Sequence, residues 1–258
     1  MSTAAVQIGA IAGRSIRRTV RQPAMAIPPI LFPVALMLVN AAGLEASTLL
    51  PGFPTDSFLA FALAVPFIQG ALFSTMNAGT DLARDIQTGF LNRLSLTSLR
   101  GSSLMIGQLS GIVVLGVVQA CAYVVVGLLT GVHFASGAGG IAVLLVFAFI
   151  VSLGFGALGS FLALRTGSGE AVQGLFPLMF VLLFISSMNT PRDLIAVDWF
   201  RWVATVNPVS YLIECVRSLI ITGWDAEALL LGFGIAVAIV VVSVALASWA
   251  LTVRMTRT

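Results

Sequence analysis

Of 258 residues only 9% are charged and 59% are apolar, with a mean hydropathy of +1.06, where a soluble domain carries about 25% charge. A water-soluble fold of this length cannot hide so much apolar surface, so the solvent for this chain is lipid. All 13 basic residues are Arg and the net charge is +3, which excludes a Walker-type phosphate loop for want of its Lys and gives no footprint for nucleic acid.

The first element is basic. On a helix, Arg14, Arg17, Arg18 and Arg21 share one arc and Ile8, Ala12, Ile16 and Val20 lie opposite. This predicts an amphipathic helix on the membrane surface, either a topology anchor or a dock for a partner. The Arg17-Arg18 pair precedes a full-length apolar span and not a short hydrophobic core with a cleavage site, so it does not read as an export signal. That span, 24–43, is the first of six long enough for about 30 Å of hydrocarbon. The others are 58–78, 104–131, 140–164, 171–189 and 228–253. None contains Asp, Glu, Lys or Arg, and one such residue at mid-bilayer costs roughly 2.5–3.5 kcal/mol on the insertion scale. Pro28, Pro29 and Pro33 should kink or tilt the first span without ending it.

After the second span, residues 81–100 predict a cytoplasmic amphipathic helix. Asp81, Arg84, Asp85, Thr88 and Asn92 share one face, and Leu82, Ile86, Phe90 and Leu94 the other; Arg93 interrupts the apolar face and Gly89 weakens the helix. It is the one cytoplasmic connection long enough to act as a lever on the spans, an ordinary solvated helix being the alternative. In the fourth span Ser152, Gly156 and Ser160 recur every fourth position, a pattern of close helix packing. The fifth carries Phe176, Phe180, Phe184 and Met188 at the same interval, a stripe suited to an adaptable apolar pocket or to lipid and helix contact.

The outer segment 190–227 is too apolar for a flexible loop. Trp199, Trp202, Val203 and Val206 predict a short helix at headgroup depth. Asn207 as N-cap, Pro208 in the first turn and Gly223 as stop frame a second, with Leu212, Val216, Leu219 and Ile220 on its apolar face. The expected structure is two short outer re-entrant helices, with Glu214 and Arg217 as a local ion pair. Cys121 and Cys215 read as packing residues and His133 as a loop residue, with no metal or catalytic cluster visible. Outside the spans, only Arg192, Arg201 and Arg217 fall on the side opposite to the remaining arginines, so both termini are expected in the cytoplasm.

Three features together resemble the ABC type-2 exporter permeases, especially the bacterial drug-resistance branch of the daunorubicin-resistance type. They are Arg84-Asp85 followed by Gly89-Phe90-Leu91 and Arg93-Leu94 after the second span; Asn207-Pro208 with Arg217 ten residues beyond the Asn; and six spans with the long connection before the last. Phe90 and Asn92 depart from the usual Gly-Thr-Leu and second acidic residue of that family. The resemblance covers almost the whole chain and implies an all-α integral membrane fold: six transmembrane helices, an N-terminal interfacial helix, a coupling helix after the second span, and two outer re-entrant helices. It implies ATPase coupling through Asp81, Arg84, Asp85, Gly89 and Arg93, aided by the helix of Arg14, Arg17, Arg18 and Arg21. It implies a substrate path along the second and fifth spans, with Phe67, Phe176, Phe180, Phe184 and Met188 as candidates, and outer helices marked by Asn207, Pro208 and Arg217. The expected partners are two ABC ATPase subunits, which bind the ATP and Mg, a second permease subunit (a copy or a related paralogue) and membrane lipids. The expected site is a bacterial inner membrane. The implied cargo is a hydrophobic or amphipathic drug, natural product or lipid, with polysaccharide or glycolipid export as the alternative; an ion-coupled carrier fits poorly with spans that lack ionisable groups.

Overall fold

The computed structural model describes residues 9, 11–17, 21, 23–95 and 101–255, the side chains of 23–26, 92, 94, 95, 101–103 and 255 apart. Arg18 of the basic helix and residues 96–100 of the cytoplasmic connection lie outside the described residues. Among those described, residues 11–17 are helical. There follow α1 (Pro23–Leu44), α2 (Phe58–Ala62), α3 (Ala64–Gln87), α4 (Phe90–Ser95), α5 (Gly101–Leu129), α6 (Gly137–Thr166), α7 (Gly169–Gly174), α8 (Phe176–Phe184), α9 (Asp198–Val206), α10 (Pro208–Arg217) and α11 (Ala226–Met255). Single turns of 3-10 helix at Glu45–Leu49 and Arg192–Leu194 and of π-helix at Ser218–Thr222 complete the path.

Five helical stretches are long and apolar enough to cross a membrane: Ile27–Leu49, Phe58–Gln87, Leu104–Leu129, Gly137–Thr166 and Ala226–Arg254. Within the first, α1 runs unbroken through Pro28, Pro29 and Pro33, as expected. Pro33 has no N–H to give to the carbonyl of Pro29 four residues earlier. The hydroxyl of Tyr123 on α5, buried in the bundle, donates to that same carbonyl and removes the penalty of an orphan acceptor in an apolar medium.

Two expectations change in detail. The second span does not stop at 78 with a separate helix beyond it: α3 continues through Asp81, Arg84 and Asp85 to Gln87. Charges at a water boundary carry no reason to end a helix, and the break comes where Gly89 adopts φ +68, its N–H bonded to the Ile86 carbonyl. The fifth apolar stretch is not one long helix. Its helical part is Gly169–Phe184, interrupted at Leu175, because Pro177 cannot bond the Gln173 carbonyl and crowds it.

That broken stretch runs antiparallel to α3. At one end Gly169 lies against Thr80 and Ala83; in the middle the Phe176 ring stands 5.0 Å from Phe73; at the other end Arg217 donates both to the Phe61 carbonyl and to the Ser187 and Met188 carbonyls. Residues 61 to 80 of a helix span roughly 29 Å at 1.5 Å each. The other long helices alternate in the same way. Gln87 donates to the Gly167 carbonyl and Arg254 to the Leu164 carbonyl at one end, while the Ser136 hydroxyl donates to the Leu219 carbonyl at the other.

The bundle closes on small residues. A Cβ at Gly159 of α6 would stand 1.9 Å from the Thr75 carbonyl oxygen, and one at Gly79 of α3 would stand 2.9 Å from the Gly159 oxygen. The backbones of α3 and α6 are therefore in direct contact. The Ser152, Gly156, Ser160 row packs as its spacing suggested: Ser152 sits against Gly116 and Gly156 against Ile112, both on α5.

Candidate functional site

The two ends of the bundle carry the polar chemistry. At the end where α3 stops, the segment 11–17 packs on α5, with Ile11 against Gly107 and Ser15 against Gly111. This turns Arg14 toward α3, where its guanidinium grips Asp85 in a bidentate pair at 2.9 and 3.2 Å. Gln108 of α5 donates to the same carboxylate at 2.9 Å. The Arg14 guanidinium also lies 3.8 Å from the centroid of the Phe90 ring, which opens α4. One cation thus joins the N-terminal helix, α3 and the helix beyond Gly89. Asp85 is buried and turned inward, whereas Arg84 and Arg93 are exposed and Asp81 is half-buried. Arg17 and Arg21 are also exposed.

At the opposite end, α8 stops at Phe184 and the chain continues as irregular backbone through Thr190. Bare carbonyls there would be expensive in an apolar medium. Asn207 bonds in both directions: its Oδ1 accepts from the N–H of Val209 at 3.0 Å, capping α10, and its Nδ2 donates to the carbonyls of Leu182 at 2.6 Å and Ile185 at 3.3 Å. Ser210 accepts from the Ser187 N–H at 3.1 Å. Arg217 completes the set with donations to the carbonyls of Phe61, Ser187 and Met188 at 3.1–3.3 Å, its guanidinium carbon 3.5 Å from the centroid of the Phe61 ring. Pro208 occupies the first turn, exposed.

Glu214 does not pair with Arg217 as its spacing suggested. It holds Arg192 in a bidentate bridge, Nε to Oε1 at 2.8 Å and Nη2 to Oε2 at 2.6 Å, with Arg192 stacked over Tyr211. A partner 22 residues away in sequence meets the carboxylate square on. Burial lowers the proton affinity of the Arg217 guanidinium, opposed by the more distant charge of Glu214. The Trp199 and Trp202 rings of α9 are exposed.

Between the ends the aromatic stripe forms a ladder. Phe176 and Phe180 are half-buried and 4.8 Å apart; Phe180 meets Phe32 of α1 at 6.0 Å; Phe184, half-exposed, follows at 6.3 Å. Phe67 is not part of it, being buried against Tyr123 at 5.4 Å, and Met188 is buried beneath Arg217. Sequence reasoning passed over Gln108, and it named Phe90 and Arg192 without their contacts, the one as a platform for Arg14 and the other as the partner of Glu214. Gln108, polar near the start of an apolar span, was the most visible signal among them.

A family described as ABC-2 type transporter matches residues 6–221. The daunorubicin resistance ABC transporter permease protein DrrB1 of Streptomyces coeruleorubidus is 30% identical over 171 residues, 64% of this chain and 58% of that protein. A protein described as transport permease ycf38, from Cyanophora paradoxa, is 25% identical over 201 residues, 77% of this chain and 69% of that one. The chain therefore spans less than two thirds of the length of DrrB1. The matched residues, 6–221, take in four of the five lipid-length helices and stop short of α11, and this chain belongs to the ABC-2 type transporter family.

Proposed function

We propose that this chain is the membrane-spanning permease subunit of an ATP-driven exporter. It works with two ATPase subunits on separate chains, which hold the ATP and Mg, and with a second permease, a copy or a related paralogue. The observation that carries this reading is the junction of Arg14, Asp85 and Phe90. A force applied to α4 or to the N-terminal helix from the cytoplasmic side passes into α3 without a flexible intermediate. Arg84 and Arg93 around the Gly89 turn, with Asp81, form the face offered to the ATPase.

Six crossings are the reading that best fits the antiparallel course of 169–188 beside α3, whose roughly 29 Å matches the hydrocarbon thickness. Then α9 and α10 are the outer re-entrant pair, both termini lie in the cytoplasm of a bacterial cell, and the exposed Trp199 and Trp202 rest at headgroup depth. The cargo is hydrophobic or amphipathic, a drug, natural product or lipid. It passes along the ladder of Phe176, Phe180 and Phe184, and Phe67 and Met188 come into reach when α8 and α3 separate. The name of DrrB1 agrees with such a cargo.

The test is purification of the tagged chain from its native membrane. The expected result is an associated ATPase, with hydrolysis stimulated by amphipathic drugs. An Asp85→Leu/Gly89→Leu double variant should insert normally but lose that stimulation. A chain that purifies alone and drives transport in vesicles without ATP would refute the proposal.

A further inference from the structure

We propose that the outer end of this chain holds a site for the phosphoethanolamine headgroup of a phospholipid in the outer leaflet. The site is a cavity of about 420 Å³ between the Arg192–Leu194 turn, the π turn and the start of α11. Its floor is Arg217, 6% exposed. A guanidinium has five N–H donors, and in Arg217 the Phe61, Ser187 and Met188 carbonyls take one each from Nε, Nη1 and Nη2. One N–H on each terminal nitrogen remains for a ligand. Among the described residues no carboxylate lies within ion-pair distance of it, since Glu214 is engaged by Arg192. A buried cation that lines a cavity and keeps two donors is suited to a phosphate oxygen pair.

Arg192 and Glu214, which also line the cavity, neutralise each other in their bridge, and the charge left at the rim is acidic. Asp193 and Glu227 line it and are exposed, while Asp225 caps α11 through the N–H groups of Glu227 and Ala228. A cationic floor below an anionic rim fits a zwitterion whose phosphate lies deeper than its ammonium, the order found in an outer-leaflet phospholipid. An ammonium has N–H donors for those carboxylates, and a trimethylated choline has none. Leu231 of α11 adds an apolar side chain to the lining, against which the first carbons of an acyl chain can rest. The proposal rests on the outward orientation given above.

The experiment uses the full chain, delipidated in detergent, with native mass spectrometry after addition of phosphatidylethanolamine, phosphatidylcholine or phosphatidylglycerol. The expected result is retention of phosphatidylethanolamine about tenfold over each of the others. In an Asp193→Asn/Glu227→Gln variant, which alters exposed side chains only, that preference should vanish. Equal retention of the three lipids by the unaltered chain, or an undiminished preference in the variant, would overturn the site. Soluble phosphoethanolamine should displace the lipid only at far higher concentration; displacement at equal concentration would overturn the lipid as its source. Orientation is read separately, by labelling of a Trp224→Cys variant with a membrane-impermeant maleimide in intact cells. Absence of label alongside an intact lipid preference would overturn the topology and leave the headgroup site standing.

Discussion

Replacing Gly159 with Ala tests whether the α3–α6 backbone contact is the closure of the bundle. The new methyl would stand 1.9 Å from the Thr75 carbonyl oxygen, where real Cβ atoms keep at least 3.0 Å. The obstacle is backbone, so no side-chain rotation relieves it, and the helices must part by about 1 Å, which forfeits a quarter to a half of the dispersion well for contacts across the seam. Overpacking of this kind costs about 1–3 kcal/mol. The control is Gly234→Ala on α11, where a Cβ meets nothing within 4 Å, and where the better helix propensity of Ala gives no loss. Unfolding followed by circular dichroism in mixed micelles should separate the two variants by at least about 1 kcal/mol. Gly116 offers an internal check, because the obstacle to its Cβ is the side chain of Ser152. Gly116→Ala should destabilise, and Gly116→Ala/Ser152→Gly should recover most of the loss, whereas no change of side chain at position 75 rescues Gly159→Ala. Equal stability of the Gly159 and Gly234 variants would refute the close-contact argument.

Arg14→Gln removes the bidentate grip on a buried carboxylate, but Arg14 is itself 41% exposed, so the loss of stability is put at about 1–2 kcal/mol, below the value for a fully buried pair. Its larger effect is expected in ATP hydrolysis that no longer responds to cargo, and preserved coupling in a reconstituted complex would disprove the role. Asn207→Ala loses an N-cap and two bonds to the end of α8, for a cost of about 1–2 kcal/mol and faster proteolysis between residues 185 and 207; an unchanged cleavage rate would contradict the dual-cap assignment. Phe180→Ala opens the ladder at its contact with Phe32 and should change the relative export of large and small aromatic drugs without affecting insertion. Identical export profiles would remove the stripe from the path.

Much of the fold is legible in the sequence because lipid allows few solutions. Long stretches without ionised groups must be helices, and Asn207, Pro208 and Gly223 mark the boundaries of α10 and its π turn at the positions where they occur. What escaped was non-local. Hydropathy cannot show that the fifth stretch unwinds after Phe184, because the groups that make unwinding tolerable, Asn207 and Arg217, lie more than twenty residues further along the chain. Charge spacing suggested Glu214 with Arg217, yet a carboxylate seeks the best geometry available in space, and Arg192 provides it. The sequence expects a span ending at residue 78 and a separate helix from Asp81, because charge marks the lipid boundary; a helix loses nothing by carrying charge past that boundary, and the two are one helix to Gln87.

The three arginines at the Asn207 end, which the proposed topology places outside, count against a positive-inside argument by position alone. The structure gives each of them a different occupation. Arg192 is held by Glu214, Arg201 donates to the Ile195 carbonyl, and Arg217 is buried among three carbonyls. Each of these cations therefore has a structural reason to be there. At the other end Arg17, Arg21, Arg84 and Arg93 are exposed. Their number, greater at the α4 end, remains the argument for the proposed inward orientation of that end. The same separation sets Arg14 apart from Arg17 and Arg21: it is tied to the buried Asp85 of α3, the contact on which the proposed coupling junction rests.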